Sequence, residues 1–239
     1  ILRSTMKLLK VEAEGSMTSF RYPHFMWQKH PTFEMPPPAT IYGHICSALG
    51  DWVEPKGIQF AYWFTYQAKG EDLEHIWTWD DKKHRDTIKP FRRELLFRPR
   101  LTLYINRPEW LDRFRHPFFV VVLGRSQDLF SYTKVGIIDA VQEERAYYEH
   151  TLVPLEMVTR LRRGIPVTLP RFLDYERNRE PTFAPYAMLK ERVIYPLEDM
   201  SDPSSPFVYS TDPKLRWIDP TVRDAKEIGL GLVFHSFVD

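Results

Sequence analysis

Residues 7–14 alternate, with Leu9, Val11 and Ala13 on one side and Lys10, Glu12 and Glu14 on the other, which predicts a half-buried strand. Further on, Pro36, Pro37 and Pro38 lead into Ile41, Ile45, Ala48, Leu49 and Trp52 at helical spacing. Prolines suit a first helical turn because the N–H they lack has no partner there, and Gly50 is a natural helix stop. Residues 58–67 are aromatic-rich and read as a second strand after the turn signals Pro55 and Gly57. Residues 69–91 are polar, with no lasting apolar period. Residues 95–105 read as a third strand, interrupted at Pro99, which brings no N–H to a ladder. Residues 108–115 predict a short helix with Trp110, Leu111 and Phe114 on one face. Residues 118–123 (FFVVVL), the most apolar run, predict a fourth strand.

The order strand, helix, strand, strand, helix, strand predicts an α+β chain whose N-terminal domain, over residues 6–129, is ferredoxin-like (RRM-like). After Gly124 the segments shorten to residues 135–141, 147–152, 165–169, 191–195 and 230–234. They predict a smaller, mostly β C-terminal domain over residues 130–239, with a long irregular insertion near residues 170–185. The aromatic strand motifs of RNA-recognition folds are absent, so element order alone does not establish RNA binding.

Composition narrows the class. Hydrophobic residues at 43% and aromatics at 15% supply a packed core rather than a disordered chain. The single cysteine, Cys46, cannot form an internal disulfide, which favours a reducing cytoplasm. No apolar run approaches the roughly 20 residues of a membrane span, and no signal peptide is visible, so a cytoplasmic protein without membrane contact is expected. The net charge of +1 hides a segregation. Residues 82–115 hold eleven basic and four acidic residues, whereas residues 196–239 hold eight acidic and four basic ones. A basic sector on a near-neutral chain can grip a polyanion while another surface meets protein.

The candidate chemistry lies in three places. The loop before the helix carries Arg21, Tyr22, His24, Trp27, Lys29 and His30, the mix of cations and flat rings that holds a single nucleic-acid strand. It feeds a helix N-terminus, where Thr40 and Tyr42 lie and phosphate is attracted. Arg92, Arg93, Arg98 and Arg100 offer planar forks for phosphate, with Phe91 and Phe97 placed to stack. After Gly124, Arg125 and Ser126 are further phosphate contacts, with Asp128 to fix Arg125 or cap the next segment; a plain turn with a local ion pair is the alternative. Metal-free RNA cleavage would need a general base near a 2′-hydroxyl, for which Lys83 with His84 is the most suggestive pair and His24, His30, and His44 with Tyr42 are the others. No Cys/His set has zinc spacing, Gly229 and Gly231 form only a lone G-x-G, and no phosphate-binding loop or nucleophile motif is present. The expectation is therefore no catalytic residue, no metal and no cofactor.

Three passages together carry a resemblance: PTFEMPPPATIYGHICSALG at residues 31–50, RRELLFRPRLTLYI at 92–105 and LGRSQDL at 123–129. Over about residues 6–135 the chain resembles the fifth family of CRISPR-associated proteins, members of the RAMP superfamily in type I Cascade complexes. That resemblance implies a subunit that caps one end of a surveillance complex by binding the crRNA 5′ handle. It also implies an inserted β-hairpin thumb, here within residues 70–97, folded over the RNA where handle meets spacer. The handle would sit against residues 21–30, the N-terminus of the Pro38 helix and the turn at 124–128. The implied partners are the crRNA, the repeated Cascade backbone subunit, the large subunit and, indirectly, target DNA. One branch, in type I-C systems, processes crRNA with a Tyr, Lys and His set. Its tyrosine falls where this chain has Leu49 and Gly50, and its Lys-His pair where this chain has Arg98, Pro99 and Arg100. The departures favour a non-catalytic, type I-B-like member, with metal-independent endoribonuclease activity as the alternative.

Overall fold

The strand predicted first is longer and more central than its alternation implies. In the computed structural model, which describes residues 5–23, 29–81, 85–195 and 217–239, β1 (Thr5–Gly15) is flanked by a partner on each side. Leu9, Val11 and Ala13 face the main core, and Leu8 and Lys10 on the opposite face are also buried. The half-buried expectation is corrected to burial on both faces. C-terminal residues, including Trp217, Leu232 and Phe234, pack with Leu8 on the side expected to meet water.

Two-residue strands β2 (Met17–Thr18), β3 (Phe20–Arg21), β4 (Lys29–His30) and β5 (Thr32–Phe33) lead to α1 (Pro38–Leu49). The helix forms where the pattern places it. Pro38 occupies its first turn, Ile41, Ile45 and Ala48 are buried, and Gly50 closes it at φ 81° by donating its N–H to the Cys46 carbonyl. Trp52 lies beyond the helix and is half exposed. β6 (Gln59–Thr65) follows, then a hairpin of β7 (Ala68–Asp80) and β8 (Arg85–Phe97), paired from Ala68 opposite Phe97 to Asp80 opposite Arg85. This hairpin occupies the polar, unpatterned stretch where the resemblance places a thumb. The interruption at Pro99 is a corner: Arg98 turns at φ 49° and β9 (Arg100–Ile105) enters the main sheet.

After the single-turn 3-10 segment Pro108–Trp110 and α2 (Leu111–Arg115), the predicted fourth strand is absent. Phe118 and Phe119 instead donate backbone N–H bonds to the Ala48 and Ser47 carbonyls at the end of α1. Those carbonyls have no partner within the helix, and the apolar run satisfies them. Phe118, Phe119 and Val120 are left 65, 55 and 70% exposed, so apolar character alone misassigned the segment. The place beside β1 is taken by β10 (Phe130–Gln142), antiparallel from Thr5 opposite Val141 to Gly15 opposite Phe130.

Downstream lie β11 (Ala146–Tyr148), β12 (Thr151–Pro154), the one-turn α3 (Val158–Leu161), β13 (Ile165–Asp174), β14 (Glu180–Leu189), β15 (Val193–Tyr195), β16 (Trp217–Arg223), β17 (Gly229–Gly231) and β18 (His235–Ser236). Among the described residues a nine-stranded sheet runs β15-β11-β17-β16-β10-β1-β9-β6-β18, so strands from both sides of residue 130 share it. The chain as described is mostly β, compatible with the predicted α+β class. The irregular insertion near residues 170–185 does not: those residues form the hairpin β13–β14. Its prolines are tolerated because β12 pairs only with residues 186–189 of β14, leaving Pro181 and Pro185 on an open edge, and Pro170 sits at a register shift. The hairpin brings Phe172 and Tyr186 into the main core against α1.

Candidate nucleic-acid interface

One face of α1, the turn at Leu123 and Gly124, and the hairpin β13–β14 line a groove of about 430 Å³. Arg21 enters it from β3, and Thr40, Gly43 and Ser47 from α1. Gly124 closes another side at φ 101°, where a Cβ would lie 2.4 Å from Thr18 Oγ1. Only glycine lets the turn approach this closely. The anion-attracting power of the helix start is weaker than the sequence implies. Pro36, Pro37 and Pro38 carry no N–H, and the Pro37 carbonyl accepts the N–H groups of both Thr40 and Ile41. Charge in the groove therefore comes from side chains, Arg21 of β3 and Arg179 of the β13–β14 hairpin.

Tyr42 is the groove's floor. It is buried, its hydroxyl donates 2.5 Å to the Val53 carbonyl, and burial raises its pKa. Tyr22 stacks on Phe33 with ring centroids 3.7 Å apart, just behind Arg21. His44 is buried and bonded at both nitrogens, to the Val122 carbonyl and the Tyr132 hydroxyl, each at 2.9 Å, and burial lowers its pKa. It joins α1 to the turn.

Other predicted residues form a charged brace at the base of the long hairpin. β4 lies parallel to β8, placing Lys29 opposite Arg92 and His30 opposite Arg93. Lys29 pairs with Glu71 at 2.5 Å and Glu94 at 3.2 Å, and Arg93 with Glu74 at 2.6 Å. Arg125 pairs with Glu74 and, at 2.8 Å, with the buried carboxylate of Asp128, which also accepts the Ser19 and Arg125 backbone N–H groups. Burial alone would raise the pKa of Glu74, but its bonds to Arg93 and Arg125 prevail and hold it below the usual range. The local ion pair expected at the turn 124–128 is present and extends across to β7. Ser126 is exposed at its tip. His30 is buried beside Phe91, and neither of its ring nitrogens has a partner among the described residues.

Arg98 and Arg100 lie apart from the groove, in a second cleft of about 430 Å³ shared with Glu14, Ser16 and Ser131. Arg92 is exposed on the hairpin face that carries Leu73, Trp77, Trp79 and Ile88; the two tryptophans are 65 and 61% exposed. Sequence reading missed this face. The period-two spacing of Leu73, His75, Trp77 and Trp79 was available, but Ile76 interrupts the alternation. It also missed Trp52, read only as a helix position, and Tyr175, Arg179 and Phe183, which line the groove from a segment read as irregular. Lys83, His84, His24 and Trp27 lie outside the described residues. Among the described residues no cluster of acidic, histidine or cysteine side chains could hold a metal ion, and no helix is long and apolar enough to cross a membrane.

No family model matches the chain, and no curated protein does. Solved structures do. A chain of a CRISPR RNA-guided surveillance complex superposes with a TM-score of 0.51 at 16% identity, over 80% of this chain and 88% of that one. A CRISPR protein from Archaeoglobus fulgidus (TM-score 0.47, 10% identity, 79% of this chain and 91% of that chain) and a Cas protein (0.37, 15%, 78% and 94%) are also similar. The first of these likenesses defines the class by its fold alone. In particular, this chain has the fold of a chain in an RNA-guided surveillance complex.

Proposed function

We propose that the chain is a non-catalytic, RNA-binding subunit of a type I CRISPR surveillance complex that holds the 5′ handle of crRNA in the groove beside α1. The observation that carries the reading is the groove itself: segments distant in sequence, ending in Arg21, Thr40 and Gly124, converge on one cationic, aromatic-walled channel within this fold. The strand order β10-β1-β9-β6, antiparallel throughout, with α1 following β1 and α2 following β9, supports a ferredoxin-like RAMP core. The hairpin β7–β8 is its thumb. Its braced base leaves Arg92 and the exposed tryptophans to meet RNA and the neighbouring backbone subunit, and the large subunit packs elsewhere.

Binding without cleavage accords with the site. Leu49 and Gly50 offer no general base, His44 is buried and bonded, and His30 is buried. The test is a competition gel shift with labelled handle RNA, repeated over a salt series. Cognate handle should outcompete a scrambled sequence, and log Kd should rise linearly with log salt as phosphates are neutralised. Equal competition by the scrambled RNA would sink handle recognition. A discrete product from repeat RNA incubated in EDTA would establish the endoribonuclease instead.

A further inference from the structure

The far wall of the groove is a hairpin whose turn is built around an unfavourable residue. Asn178 and Arg179 are consecutive at φ 54° and 62°, and the Glu180 N–H donates 3.1 Å to the Arg177 carbonyl. That is the pattern of a type I′ turn, whose second central position strongly favours glycine because a Cβ is strained there. Asparagine tolerates the left-handed conformation; arginine gains nothing from it. Several other non-glycine residues of this chain, Arg98 and Arg162 among them, also take positive φ, so it is the placement of Arg179 that points to a use.

The arginine's placement says for what. Arg179 lines the groove, is exposed, and has no carboxylate partner among the described residues, unlike the braced Arg93 and Arg125. The same turn region presents Tyr175, stacked on Trp52 with centroids 4.4 Å apart and planes 11° apart, and the pair is 42 and 47% exposed at the groove's edge. A cation beside a flat aromatic wall matches one nucleotide of a single strand, with phosphate on the fork and base on the ring. The volume of about 430 Å³ falls within the range of small-ligand sites.

We infer that the β13–β14 hairpin is a second nucleic-acid clamp, in which Arg179 grips a backbone phosphate in the groove that Arg21 also lines, while an unpaired ribonucleotide base stacks against the Trp52–Tyr175 wall. The inference rests on the reading that this groove binds RNA, and it adds a contact from the C-terminal half of the chain. Arg179→Gly separates function from folding, because glycine relieves the turn while removing the fork. With a short labelled single-stranded RNA and the full chain, Arg179→Gly should weaken binding about tenfold, as expected for one charge-assisted contact. Its urea midpoint should be unchanged or higher. Arg179→Asn, uncharged and tolerant of the turn, should match it in binding. Unchanged affinity in both variants overturns the clamp, and so does a fall in the urea midpoint of the glycine variant, which would make Arg179 a structural residue. Arg21→Ala in the same assay reports on the groove itself. If Arg21→Ala weakens binding and Arg179→Gly does not, only the clamp fails; if the unmodified chain does not bind, both readings fail.

Discussion

Replacing His235 with glutamine should flatten the acid side of the stability curve. His235 lies on β18, where Nε2 donates 3.0 Å to the Leu152 carbonyl and the ring packs near Phe60 and Tyr186. It ties the end of the chain to β6 on one side and β12 on the other. Burial, with Arg171 adding to it and the Leu152 bond opposing, pulls its pKa down to about 4 from an ordinary value of about 6.5. The folded state thus binds fewer protons than the unfolded state between those values. The contribution is complete above the unfolded pKa and is lost as pH falls toward the folded one. Integrating over that window, the loss is about 2 kcal/mol at pH 5 relative to pH 7.5. Glutamine keeps a donor for the Leu152 carbonyl but does not titrate. Urea melts at pH 7.5 and 5 should show the unmodified chain losing about 2 kcal/mol more than His235→Gln. Other buried histidines, such as His44, titrate in both proteins and cancel in the difference. An equal loss in the two proteins would mean that His235 is protonated in place or already released.

Two further predictions concern the core. The buried Asp219 accepts bonds from Lys10 at 2.6 Å, Tyr104 at 2.8 Å and Thr221 at 2.6 Å, joining β1, β9 and β16, so Asp219→Ala should cost about 3 kcal/mol by leaving the buried Lys10 with only the longer pair to Glu12 at 3.6 Å, read by urea unfolding. Replacing both Asp219 and Lys10 with apolar residues should recover most of that loss. Gly231→Ala would put a Cβ 2.2 Å from the Tyr148 ring and should destabilise by about 1–3 kcal/mol, whereas Gly43→Ala, in open space on α1, should stabilise by about 1 kcal/mol. Thermal melts giving both variants the same shift would refute that contrast.

Local signals located most of the elements and part of the groove. The proline entry and Gly50 exit of α1 are short-range chemistry, and so they were legible. The charge on Arg93 and Arg125 was legible too, but its use was not, because Glu74, fifty-one residues from Arg125, reaches both only after β7 folds back along β8. Apolar character misled at residues 118–123, where backbone donors met the end of a helix instead of a sheet. Proline content misled at residues 170–185, because a sequence does not say which strand edges will stay unpaired.

The sequence by itself therefore determined the α+β class, the helix that frames the groove and the segregation of positive charge, since these depend on side-chain periodicity and composition. Tertiary structure alone decided which arginines are braces and which face open space, because that depends on where carboxylates from remote segments arrive. It also decided that the hairpin β13–β14 lines the same groove as Arg21. A pattern of residues specifies what each segment can bury; only the packed chain specifies what each buried or exposed group then meets.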